Sequence, residues 1–353
     1  MTNTQNKFCC VTNAKPQFST ASCSQNMNAS APPFIPVEKN SGTATLDMPP
    51  LELRDHINLL YETTVGQRRL SADVDRQFKD MLHRRASTFA SSSKDLGFCP
   101  LLLHDVDTGD APPIKQSPRP PPLSAGNAED EIPDEMLSTG VIEPLISEWA
   151  SPVCWLRNQT GRIDSVLTTK GLMQSPVRML FQFRTSRMPW TASGARWFAS
   201  LDLLSGYWQL GLTGRAKERS AFCTRRGLFQ FTRMPFGLCG APATFCRVMS
   251  RVLGDHIGTI CLCYLDDVIV FGRTQKKLLD RLDKVLQRLH EHGLKVKPSK
   301  CVLLKTEIKF LGHLVTASGV QPLPDKVAAI QDWPTPRCLR DVRVFYGLIG
   351  YYR

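Results

Sequence analysis

The chain of 353 residues has no apolar run long and uncharged enough to form a membrane-spanning helix. Its first residues are polar and lack the apolar stretch of a secretion signal. A secreted or membrane-bound protein is therefore not expected, and an intracellular, cytosolic or nuclear setting is. Zinc-type spacing is missing among the 12 cysteines: Cys9 and Cys10 are adjacent, and Cys261 and Cys263 fall on an alternating strand pattern. They read as reduced core or loop thiols. Acid is in deficit, with 32 Asp and Glu against 44 Lys and Arg. The net charge of +12 suits a polyanionic partner such as nucleic acid, although an ordinary basic surface carries the same sign.

Large apolar residues are scarce over residues 1–49, where Ser, Thr, Asn, Ala and Pro dominate, so this stretch is expected to be disordered. Leu51 to Tyr61 shows a helical stripe of Leu53, Ile57 and Leu60. Ala72 to Phe89 shows a second, through Val74, Phe78, Met81, Leu82 and Phe89. Residues 109–127 are rich in proline and read as an extended connector. Glu129 to Ser138 is a short acidic helix that stops near Gly140.

From Phe198 the order is strand, hairpin, helix, acidic hairpin, helix, strand. The first hairpin joins Ser220–Thr224 to Leu228–Phe231. The first helix buries Phe245, Val248, Met249, Val252 and Leu253, and Pro242 suits its first turn. The second runs from Gln275 to His292, turns Leu278, Leu279, Leu282, Val285, Leu286 and Leu289 inward, and ends at Gly293. Phe310 to Leu314 is expected as one strand, and Pro324 to Arg353 as mostly helical. This order gives an α+β fold, a helix-backed antiparallel sheet close to the ferredoxin-like split βαβ.

Two stretches carry chemistry. In Ile260–Gly272, Asp266 and Asp267 sit between apolar, β-branched runs, at the tight turn of an expected hairpin. Ionised carboxylates there are costly unless a cation meets them. Mg²⁺ does so, held by one or two carboxylates together with substrate phosphates. Aspartate also favours turns on its own account. In Phe198–Leu210, an apolar strand ends on Asp202 and passes through a Gly-containing turn into Tyr207 and Trp208. An acid at that point is a metal ligand or a helix N-cap.

Tyr264-Leu265-Asp266-Asp267 resembles motif C of reverse transcriptases. Gly194 through Gln209, Met234 through Phe245, Tyr264 through Gly272, Gly293 through Cys301, and Phe310 through His313 stand in family order. Together they resemble motifs A to E of the reverse transcriptase of gypsy-type LTR retrotransposons. Asp107–Asp110, Gly140–Pro144 and Trp149–Pro152 resemble its lead-in, and Gly347–Arg353 its connection region. The resemblance covers roughly residues 50–353, and ordered motifs are more specific than any single one. It implies a right-hand polymerase fold, with a lead-in over 50–127, fingers over 128–197, a palm with its primer grip over 198–316, and the start of a thumb or connection over 317–353. It also implies an RNA-directed DNA polymerase extending a primer on an RNA or DNA template with deoxynucleoside triphosphates.

By the same resemblance, Asp202 and Asp266 are metal ligands and Asp267 is the weaker supporting acid. The implied cofactor is a pair of Mg²⁺ ions, with Mn²⁺ as a substitute. Such a pair activates a primer 3′-hydroxyl and stabilises the leaving pyrophosphate. Tyr207 matches the steric gate against a ribose 2′-hydroxyl; core packing is its other reading. Phe236 and Gly237 match the loop lining the nucleotide pocket, where glycine lets backbone come close. Lys300 matches a general acid for pyrophosphate, or is a solvated loop lysine. Leu311, Gly312 and His313 match the primer grip.

One segment departs from the family. Between Arg157 and Ser193 the pattern requires a basic turn, an Arg-Phe-Cys-Val-Asp-Tyr strand, a Leu-Asn pair and a Pro-rich stretch. The chain has Thr168-Thr169-Lys170-Gly171 where the strand is due, and reads as a divergent loop or as a compensated frameshift. Back-translated with permitted codons and read from the third base, Arg162–Met173 gives Asp-Arg-Phe-Cys-Val-Asp-Tyr-Lys-Gly-Leu-Asn. The same frame through Ser193 permits Ala-Ile-Thr-Gly-Glu-Asp-Ala-Phe-Pro-Ile-Pro-Asn-Ile-Lys-Asp-Ala-Leu-Asp-Ser-Leu. The frame would be lost near Asn158–Gly161 and regained near Gly194. The lost arginine is the family's contact to the incoming triphosphate, and without it transition-state charge is under-compensated.

A second reading follows, of another class: a catalytically impaired or silent retroelement remnant, at most a basic nucleic-acid-binding module. A cyclase or other two-metal palm enzyme would need a loop unlike Met234–Pro242. Asp107-Thr108-Gly109 mimics an aspartic-protease triplet but lies in a polar, Pro-flanked connector. The chain is expected to be an excerpt of a longer polyprotein.

Overall fold

The computed structural model describes residues 51–66, 70–117, 128–157, 163–167, 194–238 and 240–351. The expected disordered stretch 1–49, the connector beyond 117, the Leu53 side chain and most of the suspected frameshift lie outside the described residues.

Apolar residues at helical spacing build α1 (Leu51–Val65) and α2 (Ala72–Arg84), which bury Ile57 and Leu60, and Val74, Phe78, Met81 and Leu82. α2 is shorter than the Ala72–Phe89 pattern. The chain passes into a 3-10 turn at Ala86–Thr88, and Phe89 is extended, in a parallel bridge with Val296. A backbone partner distant in sequence wins there over helical spacing.

β1 (Cys99–His104) and α3 (Ala128–Ser138) follow, and Gly140 turns the chain at φ +66°. Then come β2 (Ile142–Pro144), β3 (Ser151–Arg157) and β4 (Ile163–Leu167). β4 pairs antiparallel with β3, from Leu167 opposite Val153 to Ile163 opposite Arg157. Residues 163–167 are thus a strand within the segment that reads as a divergent loop or a compensated frameshift. The pairing satisfies backbone that β3 would otherwise leave open.

Next are β5 (Trp197–Asp202), β6 (Leu210–Leu212), α4 (Gly214–Arg219), β7 (Phe222–Thr224) and β8 (Gly227–Phe231). β6 runs parallel to β1, and β7–β8 is the expected hairpin. One five-stranded sheet has the order β2-β8-β7-β3-β4.

α5 (Ala241–Leu253) has Pro242 in its first turn and buries Phe245, Val248, Met249, Val252 and Leu253, as expected. β9 (Cys261–Tyr264), β10 (Asp267–Gly272), α6 (Gln275–Glu291) and β11 (Val302–Lys305) complete a second unit. Thr274 caps α6, its Oγ1 accepting from Lys277 N at 3.2 Å, and all six expected apolar residues of α6 are buried. The antiparallel sheet β11-β5-β10-β9, with α5 between β5 and β9 and α6 between β10 and β11, is the ferredoxin-like βαββαβ arrangement. Strand alternation splits its core. Ala199, Leu201, Val268 and Val270 join the cluster that includes α5 and α6, while Phe198, Ile269 and Phe271 join the opposite one.

That opposite face is covered by β12 (Glu307–Phe310) and β13 (His313–Thr316), followed by β14 (Gly319–Pro322), α7 (Pro324–Gln331) and α8 (Leu339–Tyr351). Phe310–Leu314 is a hairpin, not the single strand expected. Leu311 and Gly312 both adopt positive φ, +47° and +73°, and reverse the chain in two residues. Among the described residues, no helix is long and apolar enough to cross a membrane.

Candidate active site

β5 ends on Asp202 and β10 begins on Asp267. The antiparallel register makes these two direct partners across the sheet. Asp266 lies in the turn before β10, after Leu265 at φ +54°, a left-handed conformation leucine rarely adopts. Leu203 N donates to Asp266 O at 3.1 Å and ties this turn to the end of β5.

Burial and neighbouring charge both act on these acids. Burial pushes the Asp266 carboxyl above the ordinary carboxylate range, and the Asp202 charge adds to the effect. Asp267 is raised by burial first, then by Asp266 and Asp202. Lys300 opposes both shifts, and its Nζ donates to Asp202 Oδ2 at 3.0 Å. Asp202 Oδ1 is buried with no hydrogen-bond partner.

Among the described residues, no three His, Cys, Asp or Glu side chains converge into a ready metal cage. The aspartates are brought side by side by strand register rather than focused on one point. The donor set nonetheless fits a hard divalent cation: carboxylate oxygens only, one of them buried and unpartnered. Mg²⁺ needs only one or two such carboxylates when substrate phosphates complete its shell.

Tyr207 sits in the 3-10 turn Gly206–Gln209, entered through Ser205 at φ +47°. Its ring centroid is 5.2 Å from that of Phe236 and 5.5 Å from that of Phe245. Burial, then the Asp266 charge, pushes its hydroxyl up to about 12. Phe236 is 40% exposed and also meets Trp208, at 6.0 Å between ring centroids, while Gly237 takes φ +98°. Asp202, Asp266, Asp267, Lys300, Tyr207 and Phe236 thus form one neighbourhood. Leu311, Gly312 and His313 lie at the β12–β13 turn instead, where His313 Nδ1 is 2.9 Å from Leu311 O. Leu311 and Tyr264 pack on the same cluster, which links that turn to the acidic hairpin.

Sequence reasoning missed Gly206. A Cβ there would lie 2.9 Å from Phe245 Cζ and 3.2 Å from Asp266 Cβ. Glycine lets the turn, the aromatic ring and the acid come together; the only signal was its place just before Tyr207.

The family profile described as Reverse transcriptase (RNA-dependent DNA polymerase) matches residues 157–315. Two relatives come from Drosophila melanogaster. The Retrovirus-related Pol polyprotein from transposon gypsy is 30% identical over 295 residues, which are 79% of this chain and 28% of that protein. The one from transposon opus is 33% identical over 257 residues, 70% of this chain and 25% of that protein. The chain thus spans between a quarter and a third of the length of these relatives. Among solved structures, a foamy viral protease-reverse transcriptase in complex with ds DNA matches with a TM-score of 0.73 at 21% identity, over 84% of this chain and 52% of that one. Its complex with an RNA/DNA hybrid gives 0.69 at 21% identity, over 84% and 40%. At such identity the likeness speaks for the fold, the right-hand polymerase. With its motifs in order along that fold, the chain belongs to the reverse transcriptases of gypsy-type LTR retrotransposons.

Proposed function

We propose that the chain is an RNA-directed DNA polymerase, adding deoxynucleotides from their triphosphates to a primer 3′-hydroxyl on an RNA or DNA template. The observation that carries this reading is Asp202 paired across the sheet with Asp267, beside Asp266 in the adjoining turn. Asp202 and Asp266 would hold two Mg²⁺, or Mn²⁺ in their place, with Asp267 in support. Bound there, the ions would activate the hydroxyl and stabilise charge on the pyrophosphate.

The chain's own groups do the rest. Lys300, with 54% of its side chain exposed, swings from Asp202 to give a proton to the leaving pyrophosphate. Tyr207, braced by Phe236 and Phe245, bars a ribose 2′-hydroxyl. The positive-φ backbone at Gly237 lines the nucleotide pocket. The turn of Leu311, Gly312 and His313 grips the primer. The regions are a lead-in over 50–127, fingers over 128–197, a palm over 198–316 and a thumb or connection segment over 317–353, acting inside the cell. Nucleic acid as partner is supported by the net charge of +12 and by the DNA and hybrid complexes of the foamy viral proteins. Primer extension on an RNA template tests the reading: Asp266→Asn should lose about 10³-fold of the Mg²⁺-dependent incorporation. Equal incorporation by both proteins would overturn it.

A second reading rests on β4. Its residues, Ile163-Asp164-Ser165-Val166-Leu167, include no cation, whereas the back-translated family peptide has its arginine across the Ile163 and Asp164 codons. A compensated frameshift over about residues 158–193 would have removed the triphosphate clamp, leaving an impaired polymerase or a silent, basic nucleic-acid-binding remnant. The coding DNA across residues 155–196 decides: neither alternative frame spelling the family peptide would end this reading.

A further inference from the structure

Gln209 closes the 3-10 turn that carries Tyr207 and is fully buried. A buried amide is costly unless its groups are paired. Here Nε2 donates to Leu204 O at 2.8 Å and to Lys295 O at 2.9 Å, and Oε1 accepts from Lys295 N at 2.7 Å. The side chain thereby substitutes for a peptide unit, joining the turn after β5 to the segment after α6. The fit is close, since a Cβ on Gly97 would stand 2.5 Å from Gln209 Oε1.

The segment it holds leads to the active site. Leu204 N donates to Lys295 O at 3.0 Å and Lys297 N to Asp202 O at 2.8 Å, and Val296 bridges Leu203 on one side and Phe89 on the other. Just beyond comes Lys300, whose N donates to Lys297 O at 3.2 Å and whose Nζ reaches Asp202 Oδ2 at 3.0 Å. A long, half-exposed lysine has little of its own to fix it. Where its ammonium can reach is set by the anchored backbone behind it.

We infer that Gln209 is a positioning residue: its amide holds residues 295–297, and through them Lys300, in register with Asp202. The placement stands on contacts alone, whereas its kinetic consequence rests on the polymerase reading.

A zero-length carbodiimide tests the placement without turnover. The reagent activates a carboxylate, the touching amine displaces it as a urea, and an amide bond joins the two side chains. Mass spectrometry would read the Lys300–Asp202 product, normalised to Lys276–Asp73, an ion pair at 3.2 Å that links α6 to α2. Gln209→Leu should lower the normalised yield about fivefold or more. Gln209→Glu keeps an oxygen for Lys295 N and should lower it less. Unchanged yield, or equal loss of both cross-links in both variants, would overturn the inference, the latter because Gln209 would then only hold the fold. If the chain polymerises, Gln209→Leu should lower kcat about tenfold with primer–template KM unchanged, and add nothing in a Lys300→Ala background. An equal further loss in that background would also overturn it. Absence of turnover in the wild type bears on the polymerase reading alone, and the cross-link still decides this one.

Discussion

Asp267 stands directly across the sheet from Asp202, as register partners in the antiparallel pairing of β10 with β5. Two strands far apart in sequence thus bring acids together that a local motif could not. The arrangement has a cost: burial first, and then the charge of the neighbouring acids, pushes the carboxyls of Asp266 and Asp267 up.

That cost has a definite sign. Both groups are held above the ordinary carboxylate range, so the folded state favours their protonated forms. Their contribution to stability is full below the unfolded value and is lost as pH rises through the folded value. Asp266→Asn, measured in EDTA, should melt above the wild type at about pH 7, and the gap should close near about pH 3. A variant that melts lower at neutral pH would contradict the electrostatic reading.

Lys300→Ala separates chemistry from stability. The Lys300–Asp202 pair has a half-exposed lysine, and exposed pairs contribute only about 0–1 kcal/mol. The thermal midpoint should hardly move while kcat falls about 10²-fold. Loss of the fold, or full activity, would remove Lys300 from the proposed proton transfer.

If Tyr207 gates the sugar as proposed, Tyr207→Ala should raise incorporation of ribonucleotides relative to deoxyribonucleotides about tenfold or more, since it removes the ring that packs on Phe236 and Phe245. Tyr207→Phe should discriminate as the wild type does. If Tyr207→Ala only destabilises the protein and leaves the ratio alone, core packing is its whole role.

Gly206→Ala places a methyl 2.9 Å from Phe245 Cζ and 3.2 Å from Asp266 Cβ. Overpacking of this kind costs about 1–3 kcal/mol. The turn bearing Asp266 is expected to shift, so half-maximal incorporation should need more Mg²⁺. An unaltered Mg²⁺ requirement would confine Gly206 to packing.

Restoring the family frame over residues 158–193 should give a chain that extends primers faster than the present one, with the added arginine contributing most of the gain. Equal rates would remove the frameshift from the account.

The parts legible in the sequence are those whose pattern is local. The six apolar residues of α6 repeat at helical spacing, and all are buried. Asp266 and Asp267 stood out as charges inside an apolar run, and the β9–β10 hairpin followed from alternation. What was missed depends on contacts distant in sequence. Phe89 fits the α2 stripe but bridges Val296, and β1 finds β6 in parallel with no sequence sign. Leu311 gives no hint of the left-handed backbone that folds Phe310–Leu314 into a hairpin. Gly206 and Gln209 gain their roles only when Phe245, Asp266 and Lys295 arrive beside them. The acids of the site were readable one by one; their supports were not.

Anomalous scattering from a crystal of the chain grown with Mn²⁺, primer–template and a non-hydrolysable deoxynucleoside triphosphate tests the central claim most directly. The account predicts manganese peaks at about 2.0–2.3 Å from carboxylate oxygens of both Asp202 and Asp266. Manganese bound elsewhere, or touching neither residue, would contradict it.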